Sequence, residues 1–119
     1  MPASLKEVLG DLIKKPGVVA AVIASRDGFI IEAMSSDDEV DLEKLGALTC
    51  NALNNWESLG TELAVGEPQM LIVEFEPGPI AVMSIGGDAV LAVLGNRLCN
   101  LGRMRIETTR VREAVNGCL

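Results

Sequence analysis

Arg26, Asp27 and Gly28 stand together in the stretch SRDGF, Ser25 to Phe29, between two apolar runs. An arginine beside a glycine is one ingredient of a phosphate-binding loop. Such a loop is Gly-rich and leads into a helix N-terminus, where backbone N–H groups converge on the anion. Here the stretch leads into a second apolar run of strand type. The same residues suit a three-residue hairpin loop. Its last position needs φ > 0, which glycine adopts freely, and an aspartate before it bonds to nearby backbone N–H groups. Asp27 and Gly28 are therefore expected to form a structural turn, with Arg26 a solvated residue at its tip.

The other reactive residue types lack partners in the sequence. Ser35 and Ser36 have no histidine to activate them, since the chain contains none. The carboxylates of Asp37, Asp38, Glu39, Asp41 and Glu43 lack the internal glycine and the distant glutamate of a calcium loop. They fit a solvated loop that also favours a helix N-terminus through its dipole. Cys50, Cys99 and Cys118 are widely spaced and odd in number, which suggests free thiols in a reducing cytoplasm. No catalytic residue, metal site or cofactor is expected, and the chain does not read as an enzyme.

Charge narrows the partners. The 119 residues carry a formal net charge of −7, which disfavours nucleic acid. The distribution is uneven. Residues 27–88 hold thirteen acids and one base, whereas residues 95–113 hold five arginines and two acids. No apolar run is long enough to span a bilayer and no signal-peptide pattern opens the chain, so a cytoplasmic location without direct membrane insertion is expected. The length fits a single domain over residues 1–119, and 49% hydrophobic residues suffice for a core.

Periodicity supplies the scaffold. SLKEVLGDLIKK has capping-box spacing at Ser4 and Glu7 and then a helical apolar stripe, ended by Pro16-Gly17. VVAAVIAS and FIIEAM read as strands, and residues 41–64 as a long helix ended by GEP. QMLIVEFE, IAVMSI and AVLAVL are three strands joined by EPGP and GGD, and a last helix covers about 100–115. Short connections make neighbouring strands antiparallel. The first and fifth strands are apolar throughout and need cover on both faces, so they belong in the middle. Glu32, Glu74 and Glu76 push the second and third strands outward. The expected fold is an α/β sandwich, α-β-β-α-β-β-β-α, with a five-stranded antiparallel sheet ordered 2-1-5-4-3 and helices on both faces.

On the long helix, Leu42, Leu45, Leu48, Thr49, Ala52, Leu53, Trp56, Leu59 and Leu63 form a stripe wider than sheet packing requires. Small Gly46 and Cys50 lie beside it. The third strand is long, apolar and at an edge, which invites pairing. These features predict a homodimer whose interface includes Leu45, Gly46, Thr49, Cys50, Leu53, Trp56, Leu71, Val73 and Phe75. In the last helix, Leu101, Met104, Thr108, Val111 and Val115 follow 3–4 spacing. Arg105 and Arg112 flank that stripe, while Arg103 and Arg110 point outward with Glu107 spaced to pair with both.

The hairpin GVVAAVIASRDGFIIEA, the helix DLEKLGALTCNALNNWESLG and the ending AVLAVLGNRLCNLGRMRIETTRVREAV together resemble a roadblock domain. That family includes roadblock-type dynein light chains, scaffolding subunits of lysosomal GTPase regulators and bacterial MglB-type regulators of Ras-like GTPases. By position Gly28 matches the family's hairpin glycine, and Leu101, Gly102 and Arg105 match the pattern opening the last helix. The resemblance implies a roadblock/profilin-like fold, a homodimer through the long helix and third strand, and a Ras-like small GTPase of the MglA type as partner. MglB-type dimers speed GTP hydrolysis by repositioning the GTPase's own residues without an arginine finger. On paired long helices, Asn51, Asn54, Asn55 and Ser58 would lie near the two-fold axis and form the GTPase-binding surface. Other readings are a PAS- or profilin-like small-ligand sensor, which would need a lined cavity, or a generic dimerisation scaffold.

Overall fold

The structure of the protein is a computed structural model that describes residues 4–116. Helix α1 covers Leu5–Ile13, and the Ser4 hydroxyl opens it by accepting the Glu7 N–H at 3.2 Å. Strands β1 (Val18–Ser25) and β2 (Ile30–Ser35) form a hairpin. The Ser25 N–H donates to the Phe29 carbonyl at 2.8 Å and the Gly28 N–H to the Ser25 carbonyl at 2.9 Å, closing a three-residue loop. Gly28 has φ +90° there, and a Cβ would also sit 3.3 Å from Ala47 Cα.

The acidic run after β2 is a capping loop. Asp37 accepts the Glu39 N–H, and Asp41 accepts the Lys44 N–H at 3.0 Å to start α2, Leu42–Glu62. The helix stops short of GEP, its expected end. Ala64 turns into left-handed backbone, φ +56°, and the Val65 N–H returns to the Gly60 carbonyl. The chain then folds back over Gly60, where the Gly66 carbonyl leaves no room for a Cβ.

Strands β3 (Leu71–Phe75), β4 (Gly78–Ile85) and β5 (Ala89–Gly95) complete an antiparallel sheet in the order β2-β1-β5-β4-β3. Paired β3 is shorter than its apolar run of sequence. Helix α3 covers Leu101–Asn116, and the Asn100 side chain accepts the Arg103 N–H at 2.7 Å near its start.

The sheet separates two apolar layers. On one face α1 and α3 bury Leu9, Leu12, Met104 and Val115 against Ile23, Met83 and Leu91. On the other, α2 alone buries Cys50 and Leu53 against Val22, Val82 and Val90. In α3, Met104, Thr108, Val111 and Val115 are buried as their spacing suggests, but Leu101 is exposed. Glu107 is buried and pairs with Arg110 at 3.2 Å; no ion pair joins it to Arg103.

Candidate protein-interaction surface on the long helix

A helix is about 10 Å wide, whereas five strands at about 4.8 Å spacing span roughly 20 Å. Two helices cover one face of this sheet. On the other, α2 lies over β1, β2, β5 and part of β4 and leaves the β3 edge bare. The result is an apolar groove of about 280 Å³ between α2 and the β3–β4 hairpin. Leu45, Leu48, Thr49, Ala52 and Trp56 form its helical wall. Leu71, Val73 and Phe75 alternate along β3 to form the other, with Ile80 and Val82 behind them. Trp56 is 52% exposed, Val73 50% and Phe75 54%, values far from those of a finished core.

Of the residues expected at a dimer interface, Leu45, Thr49, Trp56, Leu71, Val73 and Phe75 thus come together in one groove. Gly46, Cys50 and Leu53 do not: they are buried against the chain's own sheet. Gly46 is buried against the chain's own β1, where a Cβ would lie 3.3 Å from Val22 Cγ1. The Cys50 thiol points to the Ser25 carbonyl at 3.3 Å, and Leu53 is enclosed with Val82 and Val90. Small residues here let the helix approach its own sheet rather than a second helix. Leu48 and Ala52, part of the stripe but not of the expected interface, belong to the groove.

The four polar residues also separate. Asn51, Asn54, Asn55 and Ser58 are all exposed. Asn54 and Ser58 line a shallow depression with Glu57, Thr61 and Glu62, on the flank of α2 away from the groove. By helical geometry Asn51 and Asn55 occupy the outward ridge between the two flanks. Asn54 and Ser58 therefore share one flank, and Asn51 and Asn55 share the ridge beside it.

Arg26 is not a solvated tip. Its guanidinium folds back onto α2 and grips Glu57 through both terminal nitrogens, Nη1–Oε1 at 2.7 Å and Nη2–Oε2 at 3.1 Å. Its Nε donates to the Gly87 carbonyl at 3.1 Å, so one side chain ties the β1–β2 turn, the β4–β5 turn and α2 together. Planar, bidentate pairing is the arrangement in which a partly exposed ion pair has real value. Arg26→Ala is expected to destabilise the fold by about 1–2 kcal/mol. A double-mutant cycle with Glu57→Ala in urea unfolding measures the pair; a coupling near zero would show that the contact is idle.

The decisive comparison is with known proteins. The Roadblock/LC7 domain profile matches residues 4–95. The chain belongs to the Roadblock/LC7 domain family. Myxococcus xanthus MglB superposes on this roadblock domain with a TM-score of 0.86 at 17% identity, over 95% of this chain and 92% of that one. A Roadblock/LC7 domain from Streptomyces avermitilis gives 0.85 at 20% identity, covering 97% of both chains. The gliding protein MglB from Thermus thermophilus gives 0.85 at 21% identity, over 94% of this chain and 85% of its own. A search of curated protein sequences found no significant match. At these identities the structures speak for the fold.

The rest of the roadblock domain's chemistry is quiet. Cys50 and Cys99 are free and buried, and Cys118 lies outside the described residues. Burial pushes both thiols up from their usual range; Arg26 partly opposes this at Cys50, and Arg103 at Cys99. A protonated Cys50 can therefore keep its Ser25 contact at neutral pH. Among the described residues, no three His, Cys, Asp or Glu side chains converge to hold a metal ion. No described helix is long and apolar enough to cross a membrane.

Proposed function

We propose that this roadblock domain is a non-catalytic homodimeric module that binds a Ras-like small GTPase and regulates it. The carrying observation is the half-filled groove between α2 and β3. A second copy related by a two-fold axis would lay its own α2 and β3 against it. Antiparallel β3–β3 pairing would extend the sheet, and a self-complementary patch closes such an assembly at two subunits. The groove walls are apolar, as stable homodimer interfaces are. Family membership and the fold likeness to MglB proteins support the GTPase as partner. The outward ridge of α2, with Asn51 and Asn55, is the proposed docking surface. Asn54 and Ser58 would extend it down the flank held by Arg26.

A regulator can shift a switch only through different affinities for its two states. The purified protein, titrated with a Ras-like GTPase from the same genome, is expected to bind its GTP-loaded and GDP-loaded forms with affinities at least about fivefold apart. Asn51→Arg with Asn55→Arg is expected to abolish that binding while leaving the homodimer intact. Calorimetry on both nucleotide forms checks this. Equal affinities would reduce the role to a scaffold, and unchanged binding by the double variant would move the docking surface off the ridge.

A further inference from the structure

We propose that the α1–α3 face of this protein docks on an anionic lipid surface. The observation is a separation of charge across the sheet. Residues 4–15 and 97–116 hold eight of the ten Lys and Arg residues but only four of the 17 acids, a local net charge of +4. The remainder of the chain carries −11. The packing places α1 and α3 together on one side of the sheet and α2 with its acidic capping loop on the other, so most of the sequence asymmetry becomes a basic face and an acidic face. Glu32 and Glu74 of the edge strands are on the basic side, and Glu74 and Glu76 stand beside Arg97 at its rim.

Three features fit a bilayer surface. Large apolar side chains stand among the arginines: Leu98 is 77% exposed and Ile106 54%, with Leu101 also exposed. Arg103, Ile106 and Arg110 follow each other at helical spacing along the solvent side of α3. Cationic side chains interleaved with apolar ones are the pattern of interfacial helices. Next, these arginines are available. Among the described residues only Arg110 has an ion pair on this face, with Glu107. Last, the acids of α2 and its capping loop are remote, behind the sheet, and only Glu74 and Glu76 come near the arginines, at Arg97. The molecule measures 25 Å across its smallest dimension, about three Debye lengths at physiological salt. The acids behind the sheet are therefore screened while the bases lie at contact. Nucleic acid fits poorly: of the only aromatic residues, Phe29 and Trp56 lie elsewhere, and Phe75 alone, at the rim beside Arg97 and Leu101, makes no stacking platform.

The proposal does not depend on the dimer, but it gains from one. A two-fold axis normal to the sheet keeps both basic faces on the same side. Both would touch one membrane while the α2 ridges point to solution, and two sites on one surface add avidity.

Cosedimentation with vesicles tests it. The protein is expected to bind vesicles of mixed phosphatidylcholine and phosphatidylserine and to ignore pure phosphatidylcholine. Binding should fall steeply as salt rises. Neutralising Arg97 and Arg103 together, as Arg97→Gln with Arg103→Gln, is expected to weaken binding roughly thirtyfold, about fivefold per charge. Both side chains are exposed and outside any ion pair, so the fold should stay intact. Ile106→Ser should weaken binding several-fold without changing its salt dependence. Equal binding to neutral vesicles, or an unaffected double arginine variant, would overturn the proposal. So would soluble polyglutamate binding as tightly as the anionic vesicles, since that would assign the face to an acidic protein.

Discussion

Val73→Asp is expected to convert the protein from dimer to monomer at micromolar concentration while leaving the subunit folded. Val73 is the middle residue of β3, pairs with Ile80 of β4 and faces the groove. In the isolated chain it is half exposed, so an aspartate there can reach water. The change then costs the subunit about 1 kcal/mol in strand preference and lost packing. In the proposed dimer the position is enclosed. Pairing centred on the middle of β3 also brings the two copies close to one another. Two carboxylates would be buried side by side without partners, at a cost of roughly 3–5 kcal/mol or more. That weakens association by about 10²–10³-fold or more. Light scattering should give about twice 12.6 kDa for the native chain and a single 12.6 kDa species for the variant. Circular dichroism should show unchanged helix content. A variant that remains dimeric would move the interface away from β3, and a native chain that is already monomeric would leave the groove to another occupant.

The strand order is legible in the sequence because burial imposes a visible pattern. β1 and β5 are apolar at nearly every position and lie in the centre of the sheet. Glu32 and Glu74 mark the two edge strands, where a carboxylate reaches water. The turn at Gly28 is legible for a local reason, since its hydrogen bonds close within five residues. The Arg26–Glu57 pair is not, because 31 residues separate its partners and nothing in a hairpin sequence says which way its tip folds. The end of α2 is read to within two residues, 64 against an observed Glu62; the offset arises because the stop lies in the backbone of Ala64, a residue that carries no turn signal. Helical periodicity shows correctly that α2 has a broad apolar surface. It does not divide that surface between the chain's own sheet and a partner. The division depends on where the helix sits across five strands, a property of the whole sheet.

Gly46 puts that division to a test. Read from the sequence, a glycine beside the apolar stripe marks a close approach of two helices, and Gly46→Arg should separate a dimer. Read from the structure, Gly46 faces β1, with Val22, Ala24 and the Gly28 carbonyl within 4 Å of where a Cβ would stand. An arginine side chain has no exit there. To accommodate it, α2 must lift from the sheet, exposing Cys50 and Leu53, or a guanidinium must be buried without a partner. Either outcome is expected to cost about 4 kcal/mol or more, a large part of the roughly 5–15 kcal/mol that holds a small domain together. Gly46→Ala is the control. Its methyl would meet Val22 Cγ1 at 3.3 Å, a tight contact. Against that stands a gain of roughly 1 kcal/mol in helix propensity, so little net change is expected. Urea unfolding of the two variants distinguishes the assignments. If Gly46→Arg unfolds at the native midpoint and is merely monomeric, the glycine faces a partner and α2 does not pack on β1 through it. If its midpoint collapses while Val73→Asp stays folded and monomeric, the two flanks of α2 have separate tasks, one holding the sheet and the other receiving a second subunit.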